Sequence, residues 1–150
     1  MPDFVQHLST NACALLIESR AASSSLLQEQ LARIMASLAG FPVEKQVDFT
    51  EDPRENARLW AIRKDTFPAV GAVRKTGTTV IIEDVTFPVE QLALGVNRLI
   101  ELFDKHHYDE AILFGHALEG NLHFVFTQGF NNAEEVARYQ AFMDDVKRIL

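Results

Sequence analysis

The sequence predicts an α+β fold, an antiparallel sheet with helices packed mainly on one face. Three observations point there. Apolar runs of strand length alternate with segments of helical periodicity. The most β-prone stretch, "TTVIIEDV" (Thr78 to Val85), lies mid-chain between two helical patterns. Two further runs, Ala111 to Gly115 and Leu122 to Thr127, follow one another across a short glycine-bearing connection, as hairpin strands do. The resulting order, β-α-β-α-β-α-β-β-α, has too few strands for a doubly wound parallel sheet and carries no glycine-rich phosphate turn. It suits the ferredoxin-like class better.

Each element has a local reason. Ala12 to Glu18, "ACALLIE", is a short apolar run that reads as a buried strand, with Cys13 as a small buried side chain within it. Ser23-Ser24-Ser25 offers an N-cap, after which Leu26, Leu27, Leu31, Ile34, Met35 and Leu38 recur at helical spacing until Gly40. A brief strand is expected around Gln46 to Phe49. Asp52-Pro53 opens a second helix, because proline fits the first turn. Ala57, Trp60, Ala61 and Phe67 form its apolar side, and it should end before Pro68. Val70 to Gly77 reads as a loop carrying Arg74 and Lys75. Pro88 and Glu90 start a long amphipathic helix that runs to about His107, with Leu92, Val96, Leu99, Ile100 and Phe103 on one face. The last helix covers Ala133 to Leu150. Trp60 and the phenylalanines are expected in the core, and His106 and His107 at a helix end, where cations favour the dipole.

At 150 residues the chain fits one domain with its own core, here residues 11–150, preceded by a linker at 1–10. The 47% hydrophobic and 23% charged composition is that of an ordinary globular protein. A formal net charge of −7 argues against nucleic acid or an anionic membrane as partner. A single cysteine excludes a disulfide framework. No stretch approaches the roughly 20 apolar residues of a spanning helix, and no secretory leader pattern is present. The expected compartment is therefore the cytoplasm, with peripheral membrane association open to the parent enzyme.

The chemistry concentrates in "FGHALEGNLHF", Phe114 to Phe124. His116 and His123 flank a connection in which Gly120-Asn121 supplies turn geometry. A hairpin would set the two imidazoles across from each other, with Cβ atoms about 5 Å apart. That is close enough for both to reach one metal ion at roughly 2.0–2.1 Å. On spacing alone two histidines are a weak signal, and histidines that merely cap the ends of a hairpin are the better explanation of the pattern. Glu83 and Asp84 are adjacent on a strand and point to opposite faces, so one of them could face this site as a stand-in ligand.

"GHALEGNLHF" closely resembles the Gly-His-x-x-x-Gly-Asn-x-His signature of the C-terminal domain of FAD-linked oxidases. "LWAIRKDTFPAVGA" (Leu59 to Ala72) resembles that family's substrate-binding helix, and "TTVIIEDVTFPVEQL" (Thr78 to Leu92) the strand and helix start that follow. With "ACALLIE" at the front, the similarity covers nearly the whole chain in the right order. The likeness is greatest to large bacterial flavoproteins of the D-2-hydroxyglutarate or D-lactate dehydrogenase type that also carry an iron–sulfur region.

The resemblance implies specific roles. His116 and His123 match the pair that holds a divalent ion, zinc, in metal-dependent members, and the ion in turn holds the carboxylate and hydroxyl of a 2-hydroxy acid. Arg63 matches an arginine that pairs with a substrate carboxylate. Thr66 falls one position away from a family hydroxyl contact. Gly120 and Asn121 match residues near the flavin edge, although both are also ordinary turn residues. FAD itself would be bound mainly by a domain N-terminal to this region, which is this chain's implied partner. The chain departs from the family at two places. Ile82 stands where a substrate-contacting lysine is expected, which Arg74 or Lys75 could replace. Nothing matches the Glu-His-Gly motif that supplies a third metal ligand and the general base. The resemblance therefore implies a substrate domain that is not catalytic alone. Two other classes stay open from the residues: a ligand-sensing module without chemistry, and a metal hydrolase, which would need a third protein ligand.

Overall fold

Thr78–Thr86, the stretch richest in β-branched residues, forms the first strand (β1) of a three-stranded antiparallel sheet in our computed structural model, which describes residues 7–9, 12–65 and 74–150. Strand β2 is Ile112–His116 and β3 is Asn121–Gly129, and the order across the sheet is β1-β3-β2. Because β3 is antiparallel to both neighbours, β1 and β2 run parallel to each other on either side of it. A helix connects them, so this part of the chain is a split β-α-β unit, the core of the ferredoxin-like pattern. The chain divides into two compact units, Met1–Asp65 and Thr66–Leu150, and the sheet belongs to the second.

The helices of the second unit pack on one face of the sheet. After β1, Val89–Gln91 makes a single 3-10 turn, and Leu92–Lys105 follows as helix α3. Ala133–Ile149 is α4; its N-cap, Asn132, accepts from the Glu135 amide at 2.9 Å. (Helices α1 and α2 are Ser24–Leu38 and Pro53–Lys64, in the first unit.) Val85, Leu122, Phe124 and Phe126 from the sheet meet Leu99 and Phe103 from α3 and Phe142 and Val146 from α4. Phe142 is the centre: its ring lies 4.9–5.9 Å from those of Tyr108, Phe126, His106, Phe103 and Phe124. Edge-on and offset ring pairs at this spacing add to the area term. Ile100, expected on the same helix face as Leu99, is nearly half exposed, because it lies at the border of the stripe.

Two polar joints complete this core. Gln128 is fully buried, and its side chain is satisfied at both ends. Its oxygen accepts from the Tyr108 hydroxyl at 2.6 Å and from Arg138 at 3.2 Å, and its amide nitrogen donates to the Glu135 carbonyl at 3.0 Å. Asp145 on α4 accepts from Lys105 at 2.6 Å, from His106 at 2.8 Å and from Arg148 at 2.5 Å. His106 therefore does more than end a helix: it is buried and pins the C-terminus of α3 to α4. His107 beside it takes a left-handed φ of 59°, which turns the chain out of the helix.

The first unit departs from expectation. Ser23 does cap α1, its hydroxyl accepting from the Leu26 amide, and Asp52 caps α2 with Pro53 in the first turn. Neither helix has a buried residue, however. "ACALLIE" is not a strand: residues 12–18 have no regular pairing, Leu15 is 66% exposed, and Cys13 is exposed. Gln46 to Phe49 is likewise not a strand. An apolar run fixes neither its partner nor its pairing, and among the described residues no strand lies beside these two. Trp60 is 43% exposed rather than core, with its indole donating to Glu18 at 3.1 Å, and Phe41 and Phe130 are also exposed. Helix α2 ends at Lys64; Phe67 and Pro68 lie outside the described residues. No described helix is long and apolar enough to cross a membrane.

Two stability outcomes follow. Phe142→Ala should lower unfolding free energy by about 3–5 kcal/mol, read by urea denaturation, since it empties the centre of the aromatic cluster. Asp145 is held well below the usual carboxylate range, first by its bond to Lys105 and then by that to His106. A depressed folded-state pKa contributes stability above the unfolded value, near 4, and loses it as pH falls. Asp145→Asn should therefore flatten the acid limb of a stability–pH curve below about pH 4. An unchanged acid limb would show that the cluster contributes nothing to acid sensitivity.

Candidate functional site

The hairpin between β2 and β3 is built from close backbone contacts. His116 ends β2, Ala117–Glu119 makes one 3-10 turn, and Gly120 turns the chain back with a left-handed φ of 66°. Gly120 alone supplies the unusual backbone angle, since Asn121 already belongs to β3. A side chain at Gly120 would collide with the Phe87 carbonyl, and one at Gly115 with the Asn121 carbonyl. The Phe87 amide donates to the Gly120 carbonyl at 3.0 Å. The Asn121 side chain donates to the Val85 carbonyl at 3.4 Å and the Thr86 hydroxyl at 3.3 Å. The hairpin is thus fastened to the exit of β1, and Phe87 in turn lays its ring where a side chain at Gly95 of α3 would stand.

This register places the histidines. Leu122, Phe124 and Phe126 face the helices, so the odd-numbered residues His123, Val125 and Thr127 face the opposite side. His123 pairs in register with Phe114 on β2 and with Asp84 on β1, and His116 pairs with Asn121. The two histidines are therefore diagonal neighbours on one face rather than directly opposed. Their ring centroids are 5.5 Å apart and their planes almost perpendicular, at 88°. The Phe114 ring lies 5.4 Å from that of His123. Asp84 accepts a hydrogen bond at Nδ1 of His123. Glu83 points to the helix side, where its charge bears on Tyr139 and pushes the phenol up after burial has done so.

Two imidazoles with free ring nitrogens suit a borderline-soft divalent ion such as zinc. Among the described residues, however, no three His, Cys, Asp or Glu side chains form a group able to hold a metal. The structure thus offers the pair and not a complete ligand set. Arg63 is half-buried in the last turn of α2, in the first unit. Thr66 lies outside the described residues. Gly120 and Asn121 have evident structural work in closing the hairpin. Ile82 lies on the histidine face of β1, two residues before Asp84. Arg74 approaches the Thr78 carbonyl at the start of β1, and Lys75 uses its carbonyl to accept from Thr78. Phe114 was not singled out from the sequence, although its position two residues before His116 puts it on the same strand face.

The family model for FAD linked oxidases, C-terminal domain, matches residues 3–150. Glycolate oxidase subunit GlcD of Bacillus subtilis (strain 168) is 30% identical over 140 residues, which cover 91% of this chain and 28% of that protein. The chain thus spans under a third of the length of that relative. With a family match across almost its entire length, this chain belongs to the FAD-linked oxidases as their C-terminal domain.

Proposed function

We propose that this chain is the substrate- and metal-binding domain of an FAD-dependent oxidoreductase that acts on the CH–OH group of a D-2-hydroxy acid, of the D-2-hydroxyglutarate or D-lactate type. The observation that carries this reading is the pair of imidazoles, 5.5 Å apart on one face of the sheet, in a chain of this family. The similarity to a protein named as a glycolate oxidase subunit supports the substrate class, since glycolate is itself a 2-hydroxy acid.

On this reading His116 and His123 hold a divalent ion, zinc, through ring nitrogens. When bound, the ion supplies Lewis acidity at the substrate hydroxyl, and FAD, on a separate partner domain, supplies the hydride acceptor. Arg63 binds the substrate carboxylate, because a guanidinium fork can bond both oxygens at once. Thr66 adds a hydroxyl contact. Gly120, which turns the hairpin, and Asn121, the register partner of His116 at the start of β3, lie toward the flavin edge. The chain works with its flavin-binding partner and is not catalytic by itself. An iron–sulfur cluster in the parent enzyme would lie outside this chain, since such clusters usually take four thiolates and this chain has one cysteine. The expected location is cytoplasmic, with peripheral membrane association open.

The binding half is tested by titrating the 150-residue chain with zinc. The wild type should bind weakly, and the His116→Ala/His123→Ala double variant should lose at least tenfold in affinity while keeping its circular dichroism spectrum. Undiminished affinity would remove the metal role. The chemical half is tested in the enzyme that carries this domain, by flavin reduction with D-2-hydroxy acids. Chelator and His116→Ala should each lower kcat/KM by roughly a hundredfold, as loss of several kcal/mol of Lewis-acid stabilisation implies. Arg63→Lys should lower it about tenfold, chiefly through KM, because an ammonium cannot reproduce the fork. Reduction indifferent to chelator and to His116 would return the pair to a hairpin role.

A further inference from the structure

One carboxylate beside the histidine pair, a candidate stand-in ligand from the sequence, has no part in the proposed function. Asp84 is the direct register partner of His123, in the row Phe114–His123–Asp84 that crosses all three strands on one face. Its side chain is 65% exposed and could be fully hydrated, yet its carboxylate is engaged at Nδ1 of His123. The His123 side chain is 21% exposed, with Phe114 at 5.4 Å on one side and His116 at 5.5 Å on another. Packing and hydrogen bond together leave its ring little rotational freedom. His116 has no hydrogen-bonded carboxylate among the described residues.

An ionised carboxylate only accepts hydrogen bonds, so a neutral imidazole bound to it must carry its proton on Nδ1. The lone pair is then on Nε2. A histidine that ligates a metal characteristically has its second ring nitrogen tied in this way, which fixes the tautomer and raises the basicity of the ligand atom.

We propose that Asp84 is a positioning residue for His123: it holds the ring in the Nδ1–H tautomer and so presents Nε2 as the ligand atom for a divalent ion, before any ion arrives. Asp84 acts through His123 rather than as a ligand, in keeping with the absence of a three-residue ligand group among the described residues. The proposal rests on the metal reading of the histidine pair for its purpose, and on the geometry of β1 and β3 for the tautomer. It also implies an asymmetry, in which His123 is set in advance and His116 adjusts on binding.

The test uses the 150-residue chain and two readouts. Long-range nitrogen–proton NMR spectra of the metal-free chain near pH 8, where a free imidazole is neutral, report the tautomer of each histidine. Cobalt(II) titration, followed by visible absorption, reports metal affinity. Wild-type His123 should be the Nδ1–H tautomer. In Asp84→Ala it should shift toward Nε2–H while His116 stays unchanged, and cobalt affinity should fall ten- to a hundredfold. Asp84→Glu should restore part of both. An Asp84→Ala chain that keeps its His123 tautomer overturns the proposal; if its affinity falls nonetheless, Asp84 is a direct ligand. Unchanged affinity despite a shifted tautomer also overturns it. Failure of the wild type to bind cobalt or zinc at all would instead remove the metal reading on which the proposal rests, so the two failures are distinguishable.

Discussion

The alternation of β3 is the constraint on which the rest of the second unit depends. Its even-numbered residues Leu122, Phe124, Phe126 and Gln128 are buried against the helices, and its odd-numbered ones carry His123 to the other face. A shift of one residue in pairing would drive an imidazole into the aromatic cluster around Phe142 and expose two phenylalanines. The core thus specifies where the histidine points, and does so with far more free energy than any interaction of the histidine itself. The glycine contacts at 115 and 120 and the Phe87–Gly120 hydrogen bond hold the same register from the hairpin end.

The other end of the sheet is held by polar chemistry. Gln128 closes a buried network with Tyr108, Arg138 and the Glu135 carbonyl, tying the end of β3 to the first turns of α4. Asp145 draws the C-terminus of α3 onto α4 through Lys105 and His106. Both sites bury groups that would be costly without partners, so removing one member would leave the others exposed to that cost. Their effect is to keep both helices on the side of the sheet away from His116 and His123.

Much of this was legible in the residues. Ser23 and Asp52 declare helix starts by local hydrogen bonding alone, and "TTVIIEDV" declares a strand by side-chain branching. Neither signal needs a distant partner. The histidine hairpin was legible for the same reason, as a glycine-bearing turn between two apolar runs. Its register was not: whether His116 faces His123 or sits diagonally depends on where the tight turn closes, which the Phe87 carbonyl decides from 33 residues upstream of Gly120. The side of β1 that carries Asp84 likewise depends on pairing. His106 reads from the residues only as a helix end that favours the dipole, because its partner, Asp145, is far along the chain. "ACALLIE" has the composition of a buried strand and yet no pairing among the described residues, since apolar character alone does not supply a partner.

The hairpin has one further consequence, for how the site can vary. Gly115 and Gly120 admit no side chain, while Leu118 between them is 89% exposed at the tip. Within six residues, two positions closed to almost every amino acid enclose one open to nearly all. A saturation scan would register this as a narrow valley of tolerance between two walls. Sequence drift in this loop is channelled to the tip, where it can alter what the domain meets without disturbing the strands that carry the histidines.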